Sequence, residues 1–257
     1  MKKIYLFLAC VIAVFTGCSS DSEGSPNRML KEVQTETVSA DFTSNIVFKF
    51  TYTGNKIKSI KSGSSYETKY AYTGDLITSV SNYNDEVLMF KAIYGYDNFG
   101  NMVRSTATEY QEGASELNTY TYNPGNTITR LTYSGTTETP ANLTKTSTIS
   151  LDVMGRFIGL EDYEGTGWII KIMASYTNYN SPLRNIVGYE KLLSFNDVRN
   201  CFATYDQLNN TPGNGFNNTS VFNYTVDSAN YPIQCVQTLI NTADGSTSVT
   251  TSNYIYY

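Results

Sequence analysis

Glu161, Asp162 and Glu164 stand just ahead of Gly165-Thr166-Gly167-Trp168, the position of the only tryptophan. Two carboxylates flanking a scissile bond are what glycoside hydrolysis requires, and an indole ring stacks on a sugar face. Adjacent residues of a strand point to opposite faces, however, so Glu161 and Asp162 cannot converge on one bond if this stretch is extended. Trp168, Glu161, Asp162 and Glu164 are therefore read as a candidate ligand-contacting loop rather than as catalytic residues. An acidic hairpin at a strand edge, with the tryptophan opening the next strand, accounts for the same residues without any function and is the reading preferred.

Asp97-Asn98-Phe99-Gly100-Asn101 gathers oxygen donors on a tight turn, as a Ca²⁺ loop would. No bidentate Glu follows, so turn chemistry explains it and no metal is expected. Gly95 and Gly100 do not match the spacing of a dinucleotide fingerprint. The chain has no histidine, which removes His-based triads, His zinc sites and facial-triad iron. No cofactor and no enzymatic activity are expected. A net charge of −5 and a pI near 4.8, with no basic block, exclude nucleic acid as a partner.

The elements that would position these residues repeat along the chain. Phe50-Thr51-Tyr52, Tyr70-Ala71-Tyr72, Tyr94-Gly95-Tyr96 and Tyr120-Thr121-Tyr122 each run into a turn of Gly, Asn, Asp or Pro. Related segments lie at 149–160, 174–186 and 222–236. Behind each turn come paired positions three residues apart: Ile57/Ile60, Ile77/Val80, Val103/Thr106, Ile128/Leu131, Phe157/Leu160, Leu183/Ile186 and Ile233/Val236. The unit is a β-hairpin whose outgoing strand alternates apolar and polar residues. A pair three apart breaks that alternation, so each return strand is expected to carry a bulge or a strong twist. Bulges repeated in this way coil a sheet. One stretch differs: Phe195, Val198, Cys201, Phe202, Tyr205 and Leu208 recur at three and four, which predicts a helix over about 194–208.

Tyr94-Gly95-Tyr96-Asp97, followed by Gly100-Asn101, resembles the YD repeat of RHS-type proteins. At the amino end, Lys2 and Lys3 precede an apolar run from Ile4 to Phe15, the layout of a signal peptide. Phe15-Thr16-Gly17-Cys18 resembles the lipobox of bacterial lipoproteins, which implies acylation of Cys18. Together these features resemble a group of uncharacterised Bacteroidetes surface lipoproteins. That resemblance implies a porin-like or barrel-like antiparallel sheet. The acidic run after Cys18 is similar to the export signal of surface-exposed members.

Removing residues 1–17 takes two lysines and moves the charge from −5 to −7. Cys10 leaves with the leader, so Cys201 and Cys235 remain, either as a disulfide or as free thiols. The expected organisation is a signal peptide over 1–17, a lipidated tether over 18–41 and one β domain over 42–257. That domain is an all-β meander of about fourteen strands curling into a barrel or half-barrel, with one short helical insertion. The carboxy-terminal Tyr254-Ile255-Tyr256-Tyr257 is reminiscent of membrane barrels, but strands such as 144–151 are Ser- and Thr-rich and provide no lipid-facing girdle. The expected role is a non-catalytic envelope lipoprotein of the outer membrane. It would be anchored to that membrane by lipid, facing the cell surface or the periplasm, and would bind glycan or an envelope protein. The rival roles are a structural envelope component and a carboxylate-based glycoside hydrolase.

Overall fold

The structure is a computed structural model that describes residues 28–136, 140–165, 167–193, 198–210 and 217–257. The leader and Cys18 lie outside the described residues. The strands are β1 (Leu30–Ser39), β2 (Thr43–Thr53), β3 (Lys56–Ser62), β4 (Tyr66–Thr73), β5 (Leu76–Asn84), β6 (Val87–Tyr96), β7 (Met102–Glu109) and β8 (Ala114–Asn123). They continue as β9 (Thr127–Thr136), β10 (Pro140–Leu151), β11 (Phe157–Glu164), β12 (Gly167–Asn180), β13 (Asn200–Asn209), β14 (Asn218–Val226), β15 (Pro232–Asn241) and β16 (Thr247–Tyr256). Each pairs antiparallel with its sequence neighbours, and β1 pairs with β16, so the sheet closes into a sixteen-stranded barrel. Closure leaves no strand edge exposed.

Residues 30–39, expected as tether, form the first strand instead. Leu30, Val33 and Thr35 are buried while Lys31, Gln34 and Glu36 are exposed. This charged-out, apolar-in alternation is the mark of a half-buried strand.

Cross-strand partners share one side of the wall, so the register assigns the faces. Val33, Phe48, Ser62, Tyr66 and Asn84 are successive partners from β1 to β5. Phe50, Ile60, Thr68, Asn82, Phe90 and Glu109 form a second such row from β2 to β7. Phe48 and Phe50 belong to the buried core, so both rows face the interior. The outer face between them carries the exposed side chains of Glu36, Lys49, Lys61, Lys69 and Arg104.

The expected bulges are present. Tyr52 pairs with Ile57 and Phe50 with Ile60, which turns both isoleucines inward. Tyr72 with Ile77 and Tyr70 with Val80 repeat the arrangement, as do Leu151 with Phe157 and Ile149 with Leu160. In β7 the inward pair is Met102 and Ser105 rather than Val103 and Thr106. In β15 it is Pro232 and Cys235 rather than Ile233 and Val236. β9 runs without a bulge, so Ile128 and Arg130 share the inner face and Leu131 turns outward.

A tyrosine accompanies each of these bulges, and likewise the register shifts beside Leu30 and Phe202. The Tyr52 hydroxyl donates to the Leu30 carbonyl at 2.7 Å, and the Ile57 amide donates to the Tyr72 hydroxyl at 3.2 Å. Tyr96 donates to Ile77 O at 2.7 Å, Tyr224 to Phe202 O at 3.3 Å and Tyr256 to Pro232 O at 2.8 Å. Tyr176 likewise bonds the Phe157 carbonyl, and Tyr122 receives the Met102 amide. A bulge leaves a ladder group unpaired, and each hydroxyl satisfies one. At the matching place beside unbulged β9 the outgoing strand β10 ends in Leu151.

The predicted helix over 194–208 is not formed: residues 200–208 belong to β13, and 194–197 lie outside the described residues. The register shift between Ser175 and Tyr176 puts Phe202 and Tyr205 on the same face. A bulged strand thus imitates helical spacing. Among the described residues the helical content is one 3-10 turn, Tyr189–Lys191.

That turn belongs to the link between β12 and β13, whose described residues fill one end of the barrel. Leu183 and Ile186, expected on a return strand, sit here at 1% and 2% exposure against Leu30, Phe50 and Phe202. Leu192 packs on Ile77 and Met102. The link is tied to the rim by the Val187 amide on Asn55 O at 3.0 Å and by Asn185 Nδ2 on Arg28 O at 2.8 Å. The plugged end carries the turns that close β2–β3, β4–β5, β6–β7, β8–β9, β10–β11 and β14–β15, and both ends of the described chain. The opposite end is the mouth.

Candidate functional site

β4 to β11 send polar side chains into the interior on the mouth side of the plug. Tyr120, Arg130, Ser147, Asp162 and Ile170 are successive partners from β8 to β12 and share the inner face. The Arg130 guanidinium donates to Ser147 Oγ at 3.0 and 2.9 Å and pairs with Asp162 Oδ1 at 2.9 Å. Both side chains are largely buried, at 12% and 5% exposure, where a charge without a partner would be costly. Next to them Thr132 donates to Asn118 Oδ1 at 2.7 Å, and Asn118 donates to Glu116 Oε1 at 2.9 Å. This strip is internally satisfied and positions the wall.

The arc from β4 to β7 differs. Tyr66 begins β4, Asn84 ends β5 and Glu109 ends β7, so all three lie at the mouth. The side-chain carbonyl oxygens of Asn82 and Asn84 are buried, and no described residue donates to either. Asn82 lies between Thr68 and Phe90 and Asn84 beside Tyr66, on the inner face. Tyr66 is 51% exposed, with its ring open to the mouth. Burial, then the nearby Glu112 and Glu116 carboxylates, pushes the Glu109 carboxyl above its ordinary range. Two acceptors lacking donors, an open aromatic ring and an acid suit a ligand rich in hydroxyl donors. A buried amide oxygen left unpaired costs about 1–3 kcal/mol, so water or a ligand hydroxyl supplies the missing donor.

The residues singled out in the sequence do not form one site. Asp162 faces the interior on Arg130, while Glu161 pairs with Lys171 across β11 and β12 on the outer face. Glu161 Oε1 lies 2.8 Å from Lys171 Nζ, and the Tyr163 hydroxyl also bonds Glu161. Lys171 in turn stands 5.2 Å from the centroid of the Trp168 ring. The hydrogen bonds from Lys171 and Tyr163 hold the Glu161 carboxyl below its usual range. Trp168, Lys171, Glu161 and Tyr163 thus form an outer-wall cluster, and Glu164 sits exposed at the end of the hairpin. The wall separates the two adjacent acids, and no carboxylate pair converges on a bond there. Among the described residues no group of three metal-ligating side chains occurs.

The Cys201–Cys235 disulfide is not formed, because Cys235 is a free, buried thiol. β14 lies between the strands carrying the two residues, so they stand two strand spacings apart, about 9–10 Å. A disulfide bridges only about 4.4–6.8 Å between Cα atoms. Burial pushes the Cys235 thiol up to about 12, even with hydrogen bonds to Tyr224 and Tyr254.

Asn82, Asn84 and Glu109 had no signal in the sequence beyond the alternation Asn82-Tyr83-Asn84. Only the register brings them together.

No protein-family model and no curated protein matches the chain. Solved structures share the fold. A porin-like protein from Bacteroides uniformis superposes with a TM-score of 0.53 at 13% identity, covering 89% of this chain and 96% of that one. A porin-like protein from Bacteroides vulgatus gives 0.52 at 14% identity, covering 90% and 99%. The similarity is one of architecture: an all-β antiparallel barrel across nearly the whole of each chain.

Proposed function

We propose that this barrel is a non-catalytic binding module of the bacterial cell envelope, held at the outer membrane by lipid on Cys18, with polyhydroxylated ligands such as glycans bound at its mouth. The observation that carries the reading is the pair of donorless buried oxygens on Asn82 and Asn84, beside the open ring of Tyr66. Sugar hydroxyls supply such donors, and a sugar face stacks on an aromatic ring. The porin-like neighbours support an envelope setting.

The wall itself is suited to water. Lys and Arg at the bilayer midplane cost a membrane barrel about 2–4 kcal/mol each, and exposed Lys49, Lys61, Lys69 and Arg104 stand on the outer face of β2, β3, β4 and β7. A lipid tether, rather than a lipid-facing wall, then provides the attachment.

Calorimetric titration of a soluble oligosaccharide panel tests the site, comparing the natural chain with Asn82→Ala/Asn84→Ala. The expected result is saturable binding that weakens at least about tenfold in the variant, the factor equivalent to one strong hydrogen bond. A circular dichroism spectrum of the variant matching that of the natural chain shows that the sheet is intact, so that the lost affinity is read at the site. Equal affinity for both chains would remove the assignment. Replacing Cys18 by Ser and finding the protein still in the membrane fraction would remove the anchor.

A further inference from the structure

Three neighbouring hairpin tips at the plugged end present apolar side chains to solvent. Phe99 in the β6–β7 turn is 86% exposed, and Val153 and Met154 in the β10–β11 turn are 93% and 47% exposed. Pro124, exposed in the β8–β9 turn, lies between them. The turn acids do not compete for the tips. Asp97 Oδ1 accepts the amides of Phe99 and Asn101 at 2.9 and 2.8 Å, and Asp152 Oδ1 accepts those of Met154 and Arg156 at 2.8 and 2.9 Å. The carboxylates fold back onto the backbone and the apolar groups lead. Cations stand close behind: Lys191 lies near Asp97, and Arg199 donates to the Met154 carbonyl at 3.1 Å.

The chain enters the barrel at this same end, since Leu30 pairs with Tyr256 beside the plug. Nine residues lie between Cys18 and Arg28, ten chain steps that span at most about 33–36 Å. A lipid on Cys18 is therefore joined to the barrel through this rim, and a tether drawn in by contact of the rim with lipid keeps the mouth on the far side.

We infer that the apolar tips Phe99, Val153 and Met154 insert into the headgroup layer of the anchoring membrane, so that the barrel stands plug-down with its mouth away from the lipid. The inference rests on the lipoprotein reading for its orientation, but the contact it names requires no acyl chain. A short tether gives the tips an effective concentration in the millimolar range, so even weak insertion is populated in place. Apolar side chains entering the interface beside anionic lipid is the chemistry of peripheral attachment.

Vesicle flotation tests it with a chain that starts at residue 19. That chain carries neither leader nor acylation site, yet contains every strand with both its partners, so the whole sheet is present. With phosphatidylethanolamine–phosphatidylglycerol vesicles at millimolar lipid, part of the protein is expected to float. Phe99→Ser/Met154→Ser is expected to reduce that fraction about tenfold with an unchanged melting temperature. No flotation of the natural tips, or equal flotation of the variant, overturns the inference. So does a lipid-free dimer that the same substitutions return to monomer, because the tips would then cover a second copy. Acylation of Cys18 is read separately, from the mass of the mature amino-terminal peptide, so either result can fail without the other.

Discussion

The Tyr96 hydroxyl, on the strand leaving toward the plugged rim, donates to the carbonyl of Ile77 on the preceding return strand at 2.7 Å. Ile77 is fully buried and opens the bulge of β5, so this carbonyl has lost its place in the ladder. Tyr96→Phe keeps the ring and removes the donor. The expected cost is about 1–3 kcal/mol, the value of a buried acceptor left unmet. Urea unfolding checks it, with the midpoint falling and the slope unchanged. A variant as stable as the natural chain would show that the latch is incidental.

Gly188 fixes the plug against the wall. It adopts φ of +77°, and a Cβ there would stand 2.3 Å from the Asp75 carbonyl oxygen. Gly188→Ala is expected to cost about 2–4 kcal/mol, combining a left-handed backbone with a clash against main chain. Gly113→Ala is the control: φ is +64° with no atom within 4 Å of its Cβ position, so only the backbone cost of about 1 kcal/mol applies. Melting temperatures that fall equally for both would place the plug away from the β4–β5 turn.

Asp162→Ala removes the carboxylate that pairs with the largely buried Arg130 guanidinium. The expected loss is about 3–5 kcal/mol, while Arg130→Met/Asp162→Leu recovers most of it, because removing both charges removes the desolvation penalty. Denaturant midpoints of Arg130→Met, Asp162→Leu and the double variant measure the coupling. A double variant less stable than Asp162→Ala would mean that the pair contributes more than its desolvation costs.

Glu109 gives the mouth a pH dependence. Burial and the neighbouring acids raise its folded pKa above the ordinary value, so the folded state favours the protonated carboxyl. The stabilising contribution is complete below about pH 4, the unfolded value, and is lost as pH rises through the folded one. Glu109→Gln should therefore raise the urea midpoint at pH 7, and the gain should vanish at about pH 4. Comparing variant with natural chain at each pH cancels the opposing effect of Asp97, Asp152 and Glu161, whose carboxyls are held low. A gain of equal size at both pH values would assign the effect to packing.

Much of the wall was legible because bulges leave a mark in the sequence. Ile57/Ile60, Ile77/Val80 and Phe157/Leu160 stand three apart and both members turn inward. In β7 and β15 the pairing slipped by one residue, because Ser105 and Pro232 occupy inward positions without being large and apolar. Phe202 and Tyr205 went wrong for the converse reason, since three-residue spacing from a bulge is indistinguishable from a helical turn until the partner strand is known. The binding arc was illegible altogether. Tyr66, the Asn82 and Asn84 pair, and Glu109 come from three strands, and what distinguishes the two asparagines is a donor that the surroundings lack.

The pairing of Leu30 with Tyr256 also has a consequence for how the molecule is made. Every other ladder joins neighbours in sequence and can form while synthesis continues. The seam between β1 and β16 cannot, because β16 is made after all the other strands. Until then both margins of the sheet are open templates for foreign strands, and a contact of such long sequence separation forms slowly. A chain cut short by even its last strand would be an open ribbon, prone to pair with copies of itself. Synthesis of β16 is thus the event that turns an aggregation-prone intermediate into a sealed ring.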